Sequence, residues 1–284
     1  MLKKIIRMQF LLVLFQVVLL LGVSGCSKEK ALSPTSQMQA DLVKPSQTSS
    51  ETSNTTGSPS YQKPIEVPVL YYHSVLLEEG NKVRMPPDQF EAQMIYLRDK
   101  GYESVSLGQL YQALYKGGDL PAKPVVITFD DGYEDNYTIA FPILKKYGFT
   151  ASVFVVSSYI NGEGFMSEPQ LKELIANGWE IEGHTVSHPY LTQMDKHTVI
   201  NELKHSKEQL EKVLGQPVNF FAYPYGDYNV DVAQAVKDTG YLMAFTTERG
   251  WVNPNLDEWH LQRVYCFTDM GLNEFSRRLQ DPNY

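Results

Sequence analysis

Segments that favour strands alternate with segments that favour helices from Ile65 to the end of the chain. The segment SEPQLKELIANG, for example, opens with Ser167 and Gln170 at the spacing of a capping box and ends at a glycine, as a helix does. Repeated strand–helix units predict an α/β fold with a parallel sheet, and about seven strands in one run predict a closed or nearly closed barrel. The segments with the composition of strands are VPVLYY, VVITFD, ASVFVVS, WEIEGH, VNFFAYP, LMAFTT and LQRVYC.

The chain before this region has a different composition. A basic start, an apolar run over residues 10–21 and small residues before Cys26 predict a signal peptide over residues 1–25. The sequence LGVSGC resembles a bacterial lipobox, whose cysteine carries lipid; an uncleaved membrane anchor is the alternative, although the run is short for a span. Residues 26–64 are rich in Ser, Thr, Gln and Pro and predict a disordered tether. The expected location is therefore the extracellular face of the cytoplasmic membrane or the cell surface, with residues 65–284 as the folded domain.

Charge and cysteine content exclude two classes of interpretation. The net charge is −8, and no basic stripe with interleaved aromatic residues occurs, so a nucleic acid partner is not expected. Only two cysteines are present. If Cys26 carries lipid, Cys266 has no partner for an intramolecular disulfide, and the fold depends on its core.

Two adjacent carboxylates, Asp130 and Asp131, follow the apolar segment VVITF. An apolar run without alternation is typical of a strand that is buried on both faces of a parallel sheet. The two acids then lie at the carboxyl end of the strand, where α/β folds gather their ligand-binding groups. A solvated turn is the competing interpretation, because Asp-Gly is a common turn sequence.

Two histidines, His184 and His188, lie just past another predicted strand, and a spacing of four would place both on the same side of one helical turn. Parallel strands bring them to the same edge as Asp131. Two imidazoles and one carboxylate are three protein ligands that leave a coordination position for water, which is the pattern of a hydrolytic zinc site. Asp130, next to the ligand, is then placed to act as a general base on that water. Zn²⁺ is the expected ion, and iron, cobalt or nickel suit the same trio.

A third segment, FFAYPYGDYN, places Tyr223, Pro224 and Tyr225 after a strand. Aromatic residues around a rigid proline can form a groove wall that stacks on a sugar ring, and a backbone N–H there can bind an oxyanion. A Pro-Gly turn with aromatic residues packed beneath it is the alternative.

The motifs TFDDG, HTVSH and FAYPYG, in this order, resemble those of the NodB-type polysaccharide deacetylases, carbohydrate esterase family four. The resemblance covers roughly Ile65 to the C-terminus. It implies a distorted (β/α) barrel, the NodB-homology domain, and metal-dependent hydrolysis of an acetyl group on a glycan. By position it makes Asp130 the base, and it makes Tyr225 the backbone donor to the acetyl oxygen. It also makes ligands of Asp131, His184 and His188.

The sequence departs from the family pattern at two places. Ala222 stands where the family often has an arginine that orients the catalytic Asp, and Arg263 is the substitute we expect to pair with Asp130; a surface salt bridge is the alternative for it. The late His-Asp motif that supplies a general acid is missing. His73, at the end of the first strand, resembles the rearranged acid of the poly-N-acetylglucosamine deacetylases of bacterial biofilms, and a merely packed histidine is the alternative.

These observations predict a hydrolase that acts on a carbon–nitrogen bond other than a peptide bond. The expected substrate is a β-linked N-acetylglucosamine polymer, in particular exported poly-N-acetylglucosamine. Two other functions stay open: a peptidoglycan N-acetylglucosamine deacetylase and a non-catalytic glycan-binding lipoprotein. The predicted partners are the acetylated polysaccharide and, through Cys26, the membrane.

Overall fold

The computed structural model describes residues 65–284. The predicted signal peptide, the tether and the lipid on Cys26 lie outside these residues and stay predictions. Among the described residues, no helix has the length and apolar character that crossing a membrane requires.

Parallel strands form the centre of the molecule. They pair in the order β1-β8-β7-β6-β5-β4-β3-β2, and a further pairing of β1 with β3 closes seven of them into a barrel. The remaining strand, β2, has two residues, which pair with the first two residues of β3. The predicted α/β barrel of about seven parallel strands is therefore confirmed, and each predicted segment overlaps one barrel strand. The strands are β1 Val69–Tyr72, β2 Glu103–Ser104, β3 Pro124–Asp131, β4 Ser152–Val155, β5 Glu180–Gly183, β6 Phe220–Ala222, β7 Met243–Arg249 and β8 Leu261–Tyr265.

Helices connect the strands and cover the barrel. The predicted capping box starts α4, where the backbone N–H of Ser167 donates to Gln170 Oε1 at 2.7 Å. A short π-helix, Asn136–Ala140, follows β3 and leads directly into α3. The α-helices of the described region are α1 Pro87–Asp99, α2 Leu107–Tyr115, α3 Phe141–Tyr147, α4 Glu168–Ala176, α5 Lys196–Leu214, α6 Val230–Asp238 and α7 Gly271–Arg278.

Strand residues alternate between two apolar layers. On β3, Val125 packs in the layer between barrel and helices, whereas Val126 packs in the inner layer with Phe154 and Phe245. Because side chains alternate along a strand, Asp130 shares the inner face with Val126. The interior of the barrel thus changes from apolar to charged toward the carboxyl ends of the strands, and that change locates the site.

Candidate active site

Asp130 is buried inside the barrel end in a two-pronged contact with Arg263. Arg263 Nη1 and Nη2 each donate to one carboxylate oxygen of Asp130 at 2.8 Å. The arginine is 0% exposed, its Nε donates to the carbonyl of Thr246 at 3.0 Å, and its guanidinium lies 4.3 Å from the ring centre of Tyr71. The contact is therefore a buried ion pair and not a surface salt bridge.

This ion pair controls the charge of Asp130. Burial by itself raises the pKa of the carboxyl group, but the charge and the hydrogen bonds of Arg263 outweigh burial and hold that pKa below its ordinary value. The carboxylate is therefore ionised at neutral pH, which is the state that a general base needs.

The register of the sheet brings Asp131, His184 and His188 together. Asp131 pairs with Val155 on β4, which pairs with Gly183 on β5, and His184 is the next residue. The Nε2 atoms of His184 and His188 lie 3.4 and 3.2 Å from Asp131 Oδ1. One ligand atom from each of the three residues lies within 4.8 Å of the others.

These three residues fit a divalent metal ion. His184 Nδ1 donates to the carbonyl of Ala222 at 2.7 Å, so the lone pair of this imidazole is on Nε2, the atom that faces Asp131. Asp131 Oδ1 is buried and has no hydrogen-bond partner within residues 65–284. Burial raises the pKa of Asp131, but the two adjacent imidazoles of His184 and His188 outweigh burial and hold this pKa far below its ordinary value. An ionised carboxylate and two imidazole nitrogens are the donors that zinc-type ions prefer.

The segment between the two histidines is a loop, so the prediction that one helical turn brings them together is wrong. Thr185 and His188 have φ of 67° and 59°, in the left-handed region. The hydroxyl of Thr185 accepts the N–H of His188 at 3.0 Å, and Glu202 on α5 accepts two further backbone N–H groups of the loop at 2.9 and 3.0 Å. Hydrogen bonds to side chains therefore set the position of His188, and the helical period does not.

Backbone strain is concentrated at this site. Four of the six non-glycine residues with positive φ in the described region surround it, and they are Asp131, Thr185, His188 and Tyr225. Such conformations persist only where the surroundings enforce them, and they cluster at functional sites.

Of the predicted groove residues, only Tyr225 reaches the surface. Its side chain is 52% exposed, and its ring centre lies 4.5 Å from that of His188. Tyr223 is 1% exposed and donates its hydroxyl to the carbonyl of Trp259 at 2.9 Å, so its side chain does not line a groove. Pro224 is also buried.

Tyr190 is a site residue that the sequence interpretation missed. Its ring stacks on Tyr225 with centres 4.0 Å apart and planes 10° apart, and it is 46% exposed. The signal available in the sequence is its position two residues after His188. The stacked tyrosines form an exposed aromatic surface beside the metal-binding residues.

His73 lies at the end of β1, next to the ion pair. Tyr72 pairs with Phe129, so that His73 and Asp130 are the next residues on adjacent strands. Burial lowers the pKa of His73, and the charge of Asp130 opposes that effect in part. The imidazole is therefore mainly neutral at neutral pH, and its Nδ1 is buried without a hydrogen-bond partner within residues 65–284.

A parallel barrel with a buried carboxylate and a trio that could hold a metal ion, both at the carboxyl ends of its strands, is an arrangement suited to a metal-dependent hydrolase. The family model of polysaccharide deacetylases matches residues 117–244. YxkH of Bacillus subtilis, a polysaccharide deacetylase by name, is 32% identical over 275 residues, which are 94% of this chain and 98% of that protein. The chain therefore belongs to the polysaccharide deacetylase family and is a hydrolase.

Two further proteins are similar to this chain. The poly-β-1,6-N-acetyl-D-glucosamine N-deacetylase of Staphylococcus aureus is 32% identical over 215 residues, 70% of this chain and 73% of that enzyme. The deacetylase PplD of Streptococcus pyogenes, solved in complex with acetate, superposes with a TM-score of 0.73 at 30% identity, over 77% of this chain and all of that chain. Deacetylases of this family use a divalent metal, which agrees with the donor set described above.

We expect the variant His184→Ala to lose metal. Removing outer-shell partners of ligands lowers metal affinity by about 10- to 100-fold, and removal of a ligand should exceed that. The measurement is metal content after dialysis against a weak chelator, with the exposed His205→Ala as the control. Undiminished metal in the His184→Ala protein would contradict the assignment of this site.

Proposed function

We propose that this chain removes N-acetyl groups from a β-linked N-acetylglucosamine polymer, and that poly-N-acetylglucosamine is its substrate. The observation that carries the proposal is the position of His73 beside Asp130, on the first strand of the barrel, because a deacetylase whose acid is on its first strand resembles the biofilm enzymes. The S. aureus relative, which is named for that polymer, supports the same choice.

The residues of the chain divide the proton transfers between them. Asp130, ionised and held by Arg263, accepts the proton of the attacking water. The carbonyl oxygen of the acetyl group gains negative charge in that step, and the backbone N–H of Tyr225 stabilises it. The amine then leaves with a proton from His73. Because burial keeps His73 mainly neutral, it must first take up from solvent the proton that it donates, and Asp130 releases the proton of the water to solvent after the reaction.

Asp131, His184 and His188 would hold the metal, and we propose Zn²⁺. A bound divalent ion supplies Lewis acidity, which lowers the pKa of water and polarises a carbonyl group. The chain itself supplies the orientation of the ligands, through the contact between His184 and the Ala222 carbonyl. The exposed faces of Tyr225 and Tyr190 offer a stacking surface for the sugar rings.

The test of this function is acetate release by the full-length protein with added Zn²⁺. We expect release from partially acetylated poly-β-1,6-N-acetylglucosamine and little from peptidoglycan. Release of acetate from peptidoglycan alone would contradict the proposed substrate and would identify peptidoglycan as the substrate. Glycan binding without acetate release from either, by metal-loaded protein, would favour the non-catalytic lipoprotein.

We expect His73→Ala to lower kcat by about 10²- to 10⁴-fold, the usual contribution of a general acid. Metal content and KM should change little, because His73 is not one of the three ligands. The leaving group of an aryl acetate ester needs less protonation than an amine. The variant should therefore lose less activity on such an ester than on the glycan. Equal losses on both substrates would argue that His73 has only a packing role.

The proposed location is the outer face of the cytoplasmic membrane or the cell surface. It depends on the signal sequence and on lipid attached to Cys26, both outside the described residues. An anchored enzyme at that place meets exported polysaccharide as it leaves the cell, as well as the wall. The location therefore agrees with either glycan substrate.

A further inference from the structure

Three hydrogen bonds tie the segment that carries His73 to the loop that follows β3. Asp135 Oδ2 accepts the hydroxyl of Ser74 at 2.6 Å, and Asp135 Oδ1 accepts the backbone N–H of Val75 at 2.7 Å. Asn136 Nδ2 donates to the backbone carbonyl of His73 itself at 2.7 Å. Three consecutive residues, 73–75, are therefore each bound by a side chain of the pair Asp135 and Asn136.

The pair is itself held in place. Asn136 is 0% exposed, and its amide also donates to Asp135 Oδ1 at 3.2 Å. It is the first residue of the π-helix Asn136–Ala140. π-Helices are rare, appear mostly as single turns and are frequent at functional sites. Here the turn begins at the residue that contacts His73.

The contacts lie where β1 leaves the sheet. Beyond Tyr72 the backbone loses its strand partners, and its polar groups need others. Asp135 and Asn136 supply them to Val75 and His73 from the same short segment that contains Asp130 and Asp131, whereas the carbonyl of Ser74 accepts the N–H of Met85 at 2.8 Å. One continuous stretch of chain thus carries the base and one metal ligand, and it also holds the backbone of His73.

We propose that Asp135 and Asn136 are positioning residues that fix His73 relative to Asp130, an inference that rests on the proposed function of His73 as the acid. They act through the backbone of His73 and Val75 and through the hydroxyl of Ser74. We call the three hydrogen bonds that Asp135 and Asn136 make to residues 73–75 the clasp. A misplacement of about 1 Å in a reacting group can lower a rate by about 100-fold, so loss of the clasp should lower kcat.

The first test is a double-mutant cycle on kcat with metal-loaded, full-length protein. We expect Asn136→Ala to lower kcat by about 10- to 100-fold with KM and metal content unchanged. In the His73→Ala background the same substitution should have little further effect, because there is no imidazole left to position. An equal loss in both backgrounds, or an unchanged kcat in the single variant, would overturn the proposal.

A second variant separates positioning from packing. Asn136→Leu keeps the approximate size of the side chain but removes both N–H donors and adds no charge, so it should lose kcat as Asn136→Ala does. Wild-type kcat in Asn136→Leu would show that only bulk is needed and would overturn the proposal. Glu134→Gln, an exposed change in the same turn, is the control and should match the wild type. If Asn136→Leu does not fold, as judged by its melting curve, Asp135→Asn takes its place, with a partial loss of kcat expected.

A third measurement does not depend on deacetylation. Carbethoxylation of His73 by diethyl pyrocarbonate, followed by peptide mass spectrometry, reports how firmly the imidazole is held. We expect a several-fold faster reaction in Asn136→Ala than in the wild type or Glu134→Gln, and an equal rate would overturn the clasp. If the wild type releases no acetate, the proposed function fails, whereas this rate still decides whether the clasp exists.

Discussion

Replacement of Asp130 with Asn should lower kcat by about 10²- to 10⁴-fold while the protein keeps its metal. The amide has the size of the carboxylate but cannot accept the proton of the attacking water. The three proposed ligands, Asp131, His184 and His188, are unchanged. A loss of turnover without a loss of metal would separate the role of Asp130 from that of Asp131, its neighbour in the chain.

The measurement is acetate release together with metal content of the same sample. Asp88→Asn, an exposed carboxylate on α1, is the matched control and should behave as the wild type. Because Asp130→Asn leaves Arg263 buried without its partner, the assay temperature must lie below the melting transition of the variant. Full activity in folded Asp130→Asn would remove Asp130 as the base.

The variant Arg263→Met should lose about 3–5 kcal/mol of unfolding free energy at neutral pH, the usual effect of removing one partner of a buried ion pair. Asp130 is 3% exposed and would keep a charge without compensation. The double variant Arg263→Met/Asp130→Asn should recover much of the loss, because no charge then remains buried. Arg249→Met, an exposed arginine on the adjacent strand β7, should be close to neutral.

The loss should depend on pH with a definite sign. In the wild type the folded-state pKa of Asp130 is lowered, so its contribution is present above the unfolded pKa of about 3.9 and is lost as pH falls through the folded value. Without Arg263, burial should raise the folded pKa. The variant then loses stability as pH rises through that raised value. Urea unfolding of metal-free protein should thus show a larger difference in unfolding free energy between the wild type and Arg263→Met at pH 7 than at pH 4. A difference that does not change with pH would contradict the ion-pair account.

The sequence was sufficient to predict the barrel strands, because most of them lie in short segments rich in Val, Ile, Phe and Tyr. It was not sufficient for α2, Leu107–Tyr115, whose capping residue Ser106 follows β2 after a single intervening residue. Convergence of Asp131 with the histidines followed from parallel strands alone, since strand ends meet at one edge whatever the loops do.

What the sequence could not supply depends on tertiary contacts. The conformation around His188 is set by Glu202, which comes from a helix that follows it in the chain. The burial of Tyr223 depends on a carbonyl that lies 36 residues further along. The clasp on His73 joins residues 60 to 63 positions apart in the chain, and no local pattern marks such a contact.

Strand β1 lies between β3 and β8 in the barrel, and the ion pair of Asp130 with Arg263 links these two strands. The two residues are 133 positions apart in the chain. During synthesis, β3 and its carboxylate exist long before the guanidinium does. Until β8 docks, the charge of Asp130 has no partner that would compensate its burial, which opposes premature closure of the barrel. Contacts of such long separation also form slowly. The closed barrel and the charge-paired base therefore both require β8, the last strand.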